Sequence, residues 1–407
     1  MTEQCDTCEH GHAGADHPGR FPVSRRSLLS AGAAAAGLMA LPGTRLSFAA
    51  DAKGSGRTLV VLYLRGAADG LSLIPPVGDS AYAQLRPTVA IPAAKALPLD
   101  RTFGLHPAMK SLMPYYASGQ LALVHATGDP DNTRSHFDMQ DATERWAQPG
   151  SALGPGWIST WLHGRKEGPG TFPSLAIGGR QPVSLQGEAP SIALNSIDDF
   201  ALTVSEKQRP KLEKALRRMY GAARPDLNLP AELALQTMAK LAPYRGKPYV
   251  PSNGAVYPSG TLGFQLSQVA LLMHAKIGLS AVAIDVGGWD THVGMGGASG
   301  GQMYTLAEGL AQSMSAFAQD LGRMLNQVSL VTMTEFGRTA QENGSNGTDH
   351  GMGSAMMILG RTPAAFKGGK VTTQWPGLAG ALKDPNLDLA ITTDYRDVLK
   401  AVISTVG

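Results

Sequence analysis

Thr58-Leu-Val-Val-Leu-Tyr-Leu64 is a β-branched and apolar run that stops at Arg65-Gly66. An apolar run without alternation reads as a strand covered on both faces, which points to a parallel sheet. Three more stretches share that character: Leu121 to His125, Ser280 to Val286 and Val328 to Met333. Between the last two, Gln302 to Asn326 is spaced as a helix. Tyr304, Leu306, Leu310, Met314, Phe317, Leu321 and Leu325 recur there at three- and four-residue steps and lay down one apolar stripe. Further helices are expected over Leu262 to Ile277, Glu206 to Tyr220 and Tyr395 to Ser404. Strand and helix alternate through the C-terminal half, which predicts an α/β fold: a doubly wound, mostly parallel sheet with helices on both faces. Tyr249 to Gly260, rich in Pro, Ser and Gly, reads as a surface loop.

Composition narrows the function. The 407 residues carry 35 Lys and Arg against 32 Asp and Glu, a net charge of +3, so no broad basic field exists to hold nucleic acid. Both cysteines, Cys5 and Cys8, lie in the first ten residues, so a buried core rather than disulfides must stabilise the rest.

Ser24-Arg25-Arg26-Ser27-Leu28-Leu29 is a twin-arginine pair followed by leucines, then by an Ala, Gly, Leu and Met run from Ala31 to Leu41. The run is too short to span a bilayer, which takes ~20 apolar residues, and it ends at Pro42-Gly43. Ser47-Phe48-Ala49 offers the small residues a signal peptidase reads. Residues 1–50 are therefore expected to be a twin-arginine signal peptide, and 51–407 a single exported domain with no permanent membrane span. Its expected partner during export is the twin-arginine (Tat) translocon, and its expected location the periplasm or another place outside the cytoplasm reached by that route. Export of folded chains often follows metal loading, which makes a metal site worth seeking. Cys5, Cys8, His10 and His12, with His17 beyond, form a soft-ligand cluster inside the segment that would be removed, so it says nothing about the mature site.

Ligands of open parallel sheets bind beyond the carboxyl ends of the strands. Four segments in such places carry chemistry: Arg65 to Gly70 with Asp69; His125 to Asp138, with Asp129, Asp131, Asn132, Thr133, Arg134, Ser135 and His136; Asp285 to His292; and Glu335 to Gly351. Carboxylates and imidazoles at one sheet edge are the ligands of a divalent ion, Zn, Mg, Mn or Ca. Blander accounts stand beside this one. Ser135 with Asp138 three residues on is a helix-capping pattern, Glu335 and Arg338 match an i, i+3 ion pair, and Trp289 serves either to stack on a sugar or to fill a gap. His106, His163 and His274 sit in ordinary contexts.

Asp69 after the first strand, a Thr/Ser segment opening a helix, Asp290 and His292 after a later strand, and Asp349-His350-Gly351 together resemble the motif order of the alkaline phosphatase and sulfatase superfamily. More closely, the twin-arginine signal with LRGAADGL, GGWDTH, TEFGRT and GTDHG looks like a large bacterial family of exported proteins of unknown function within that superfamily. The resemblance runs from Leu59 to the C-terminus. It implies an alkaline-phosphatase-like fold and metal-assisted attack on a phosphoryl or sulfuryl group. Asp69, Asp290, His292, Asp349 and His350 would hold one or two divalent ions. Ser135 would be the nucleophile at a helix start, with Thr133 in reserve, and Arg134 would neutralise the charge of a small anionic ester or carbohydrate substrate. The sequence departs from that pattern in having no histidine beyond His350 and only one residue between Asp290 and His292. His125, His136 or a carboxylate such as Asp394 then completes the site, or a single metal binds, or none. The expected function is an exported metal-dependent hydrolase of phosphate or sulfate esters; the alternative is a non-catalytic envelope protein that keeps the fold and binds a carbohydrate, an anion or a protein partner.

Overall fold

The structure, a computed structural model, describes residues 56–407 except 152–153, 166–171, 203, 206, 222–224 and 385–387. The expected signal peptide and the Cys5/Cys8/His10/His12 cluster lie outside the described residues. Among the described residues no helix is long and apolar enough to cross a membrane.

The opening run forms β1 (Thr58–Leu64), with every residue buried. It lies between two parallel neighbours that come more than two hundred residues later, β5 (Leu279–Val286) and β6 (Val328–Met333), in register Leu59 with Ala281 and Thr58 with Val328. Outward from this centre stand β2 (Leu121–Gly128), β3 (Phe172–Ile177), β4 (Ser191–Leu194), β7 (Ser354–Gly360), β8 (Val371–Thr372) and β9 (Thr393–Asp394). The strand order is β8-β2-β7-β6-β1-β5-β3-β4, with β9 also on β2. The protein is thus mixed α/β around one large, mostly parallel sheet. β7 is the exception, antiparallel to both β2 and β6.

Side chains of a strand alternate between faces, so β1 feeds two cores. Val60, Leu62 and Leu64 pack toward α5 (Thr261–His274) and α6 (Gln302–Leu321), with Leu266, Val269, Leu310, Met314 and Phe317. Leu59, Val61 and Tyr63 pack on the opposite face with Trp157, Ile158 and Leu162 of α2 (Trp157–His163) and Val398, Leu399 and Val402 of α7 (Tyr395–Val406). Further helices are α1 (His136–Arg145), α3 (Arg209–Gly221) and α4 (Pro225–Leu241), and short helical turns lie at Gly70–Leu73, Ser80–Leu85 and Met113–Ala117. The expected stripe of α6 is buried at Leu310, Met314, Phe317 and Leu321, while Tyr304 and Leu306 pack half-buried against it. The helix stops short of Asn326 because Gly322 takes φ +51° and the chain tightens into a 3₁₀ turn. The Tyr249 to Gly260 loop is tied down by one buried carboxylate: Asp320 accepts from the hydroxyls of Tyr249 at 2.9 Å and Tyr257 at 2.8 Å and from Ser252 N at 2.7 Å.

Topology places the chemistry. β1, β5 and β6 end at one edge of the sheet, and β7, running the other way, begins there. The loop before β7 therefore delivers Asp349 and His350 to the same edge as the loops after β5 and β6.

Candidate metal centre

Three imidazoles meet one carboxylate at this edge. Nε2 of His350 is 3.1 Å from Nε2 of His136 and 3.0 Å from Nε2 of His292. Oδ1 of Asp290 is 3.0 Å from His292, 3.4 Å from His350 and 3.6 Å from His136. Tetrahedral ligands at ~2.0–2.1 Å from a zinc ion stand about 3.3 Å apart, the middle of this range. His136, Asp290 and His350 are near enough to one another to share one ion.

The other nitrogen of each ring decides what faces the centre. His350 Nδ1 is 2.9 Å from the Arg134 carbonyl, which can only accept, so Nδ1 carries the proton. His136 Nδ1 donates to Glu335 Oε1 at 2.8 Å and His292 Nδ1 to Asp349 Oδ1 at 2.8 Å. Both carboxyls are ionised. Burial raises the Glu335 pKa, but hydrogen bonds from His136, Gln140 and Gly66 N more than offset it and hold the pKa at about 2. Hydrogen bonds from Asn343 and His292 hold Asp349 below its usual value. With every Nδ1 so engaged, three Nε2 atoms and a carboxylate oxygen face one another. Such an arrangement can accommodate a cation or an added proton. Outer acceptors of this kind orient metal-bound histidines, and the donor set of three nitrogens and one oxygen fits zinc or manganese better than the oxygen-seeking magnesium or calcium.

Each side chain arrives there for a local reason. His136 opens α1, whose N-cap is Ser135. Arg134 sits at φ +58°, a left-handed conformation that is costly for a residue with a Cβ, and this turn aims its carbonyl at His350. Asn132 braces the same loop, donating to Gly351 O at 3.0 Å and accepting from Arg134 N at 2.7 Å. Asp290 is held by the buried Arg338, whose Nη1 lies 2.5 Å from Oδ1. Burial raises the Asp290 pKa, but Arg338 with His292 and His136 lowers it further, so the carboxylate stays charged. Burial lowers the His350 pKa, aided by the charges of His136 and Arg338, whereas the bond to Glu335 raises that of His136.

Of the residues expected to hold metal, Asp290, His292 and His350 converge, and Asp349 stands behind His292 as its acceptor. Asp69 lies elsewhere at the edge: buried, it is 2.5 Å from Arg86 Nη1 and accepts from Ser72 Oγ at 2.5 Å. Ser135 Oγ accepts from Asp138 N at 3.4 Å as a cap, and Thr133 Oγ1 lies 3.4 Å from Asp138 Oδ2. The Arg134 guanidinium pairs with Asp388 at 2.9 Å, so its backbone rather than its charge faces the centre. Among the candidates to complete the site, His136 is the one whose ring reaches it. His125 is buried beside Phe103 and Trp375, and Asp394 caps α7 and binds Arg396. Glu335 and Arg338 do not form the expected pair; the segment from Thr334 to Thr339 is not helical, and the two turn to His136 and Asp290. Trp289 is buried in the core and fills space.

Fold and site together define an α/β protein with three imidazoles and a carboxylate clustered at the carboxyl edge of its sheet. The chain belongs to the family described as "Protein of unknown function (DUF1501)", which matches residues 56–392. No curated protein matches it. Among solved structures it is similar to the C-terminal periplasmic domain of EcEptC from Escherichia coli in complex with Zn, at 11% identity over 78% of this chain and 77% of that one, with a TM-score of 0.34. A sulfatase from Pseudoalteromonas sp. is 10% identical over 94% of this chain and 72% of its own, with a TM-score of 0.35. The lipoteichoic acid synthase LtaP from Listeria monocytogenes is 9% identical over 88% and 79%, with a TM-score of 0.30.

Proposed function

We propose that the protein is an exported, metal-dependent hydrolase of phosphate or sulfate esters with an alkaline-phosphatase-like fold, its cation held by His136, Asp290, His292 and His350. One observation carries the reading: three Nε2 atoms face a single carboxylate oxygen while all three Nδ1 atoms are engaged outside the cluster. The order of the LRGAADGL, GGWDTH, TEFGRT and GTDHG motifs supports the reaction class, and the twin-arginine segment supports export. A divalent ion there supplies Lewis-acid polarisation of a phosphoryl or sulfuryl oxygen. Glu335 and Asp349 hold two of the rings in the tautomer that binds a cation, and Arg338 keeps Asp290 ionised. Ser135, one residue before His136 at a helix N-terminus, is the nucleophile of this reading, where the partial positive charge of the helix start favours an alkoxide.

A second reading has its own support. Ser135 and Thr133 both lie within reach of Asp138, and Arg134 of Asp388, an arrangement that suits a protein that holds a metal without cleaving esters. Elemental analysis of the mature protein, followed by a screen of phosphate and sulfate esters with and without the metal found, separates the two. The hydrolase is expected to carry about one Zn or Mn per chain and to lose metal and turnover together in His292→Ala and His350→Ala. Bound metal without turnover of any ester supports the second reading; no metal under any loading condition refutes both.

A further inference from the structure

The same sheet edge opens, beyond the ends of β3, β4 and β5, into a cavity of about 400 Å³, within the usual size of small-ligand pockets. Gln265 of α5 lines it, nearly buried, and its Nε2 donates to the Ile177 carbonyl at 2.8 Å. That carbonyl can only accept, so the amide cannot be turned round, and its buried Oε1 is left without a donor. Arg180, Asn195 and Thr261 line the same space, and their side chains make no hydrogen bond or ion pair among the described residues. Asp285 stands at the wall too, but its carboxylate is met by Arg65 Nε at 2.9 Å, which leaves Arg180 as the uncompensated charge. Phe264, 47% exposed, adds an aromatic face.

Gln265 Oε1 is a buried acceptor that lacks a donor, and Arg180, Asn195 and Thr261 are exposed at the cavity. The unpaired acceptor indicates what should fill the cavity, and the exposed groups what else a ligand can reach. An acceptor that needs a donor, an amide and a hydroxyl that offer both, and an aromatic surface match the hydroxyls and apolar face of a pyranose. A free guanidinium matches a carboxylate or sulfate on that ring. A phosphate alone would leave Phe264 uncovered, and an apolar ligand would bury Gln265 Oε1 unsatisfied. We propose that this cavity binds an acidic sugar unit, with Arg180 on its anionic group and Gln265 Oε1 accepting from a ring hydroxyl. Asp285, at the wall of this cavity, lies at the end of β5, and the chain runs on from it to Asp290 of the imidazole cluster. The proposal does not depend on that centre being active.

Ligand-observed NMR titration of the mature protein with glucuronate and with glucose tests it, read independently of metal content and turnover. Glucuronate is expected to saturate and to bind about tenfold or more tighter than glucose, as one charged hydrogen bond allows, and Arg180→Ala should abolish that difference. Asn195→Ala should weaken both sugars; both variants alter exposed or edge positions, and their melting temperatures report folding. Failure of either sugar to saturate, equal affinity for the two, or wild-type binding by both variants overturns the proposal.

Discussion

Glu335 shows how much one carboxylate organises. Its Oε1 accepts from His136 at 2.8 Å, Gly66 N at 2.8 Å and Gln140 at 3.0 Å, and Oε2 lies 3.0 Å from the Thr334 hydroxyl. Glu335→Gln keeps the shape but removes the charge and one acceptor, loosening the ring that it orients. Metal affinity is expected to fall about 10–100-fold in chelator competition, as for other outer partners of metal-bound histidines. An unchanged affinity would mean that His136 is not a ligand. At this scale the sequence was legible where a motif announced itself. Asp290, His292 and His350 stand in Gly-rich loops after strand-like runs. Glu335 and Arg338 were legible only as a local pair, because their spacing fits a helix turn that the backbone does not make.

Among the elements, α1 and β7 carry the site. Ser135 caps α1 through Asp138 N, and Ser135→Ala is expected to cost about 0.5–2 kcal/mol while leaving metal bound. If ester turnover also vanishes in the folded fraction, Ser135 is the nucleophile; if it persists, the residue is a cap alone. Gly351 leads into β7, where the backbone crosses itself closely. A Cβ there would meet the Arg338 carbonyl carbon at 2.3 Å and Thr339 N at 2.5 Å. Gly351→Ala must push His350 away from His136, so loss of metal together with about 1–3 kcal/mol of stability is expected in denaturant titration and elemental analysis. β7 itself is not among the four strands expected from the sequence, and nothing in its apolar run gives its direction. That direction is what brings His350 to the site.

For the whole molecule, two buried imidazoles are expected to weaken folding in acid. Burial pushes the pKa of both His106 and His125 down to about 4. His125 is held neutral by geometry: Nε2 lies 3.0 Å from the Ile74 carbonyl and Nδ1 accepts from Ala126 N at 2.7 Å, at the bulge where Ala126 takes φ +56°. The unfolded chain titrates these rings near the ordinary 6.5, so below that pH it binds protons that the folded chain refuses. Their contribution is complete above about pH 6.5, declines as pH falls toward 4 and is flat below, with roughly 3 kcal/mol at stake per ring. Urea midpoints followed from about pH 7 to about pH 4.5 should fall, and His125→Gln should flatten the slope even if it lowers the overall stability. An equal slope in the variant would show that His125 does not weaken folding in acid.

The sequence by itself determined the layers. Continuous apolar runs such as Thr58–Leu64 can be buried only in a sheet covered on both faces, and the stripe of Gln302–Leu321 can be buried only against it, because hydrophobic burial depends on local pattern and needs no knowledge of partners. It also named most of the polar residues at the sheet edge. Only the tertiary structure decided which of them meet. His136 and His350 are 214 residues apart, and Glu335 is 199 from His136, yet all three lie in one cluster because strand order and the reversed β7 bring their loops together. Asp69 carries an equally conspicuous motif, but Arg86, seventeen residues on, takes its carboxylate. Which acceptor a charged side chain finds is settled by distances of a few ångströms across the fold, and spacing along the chain does not contain them.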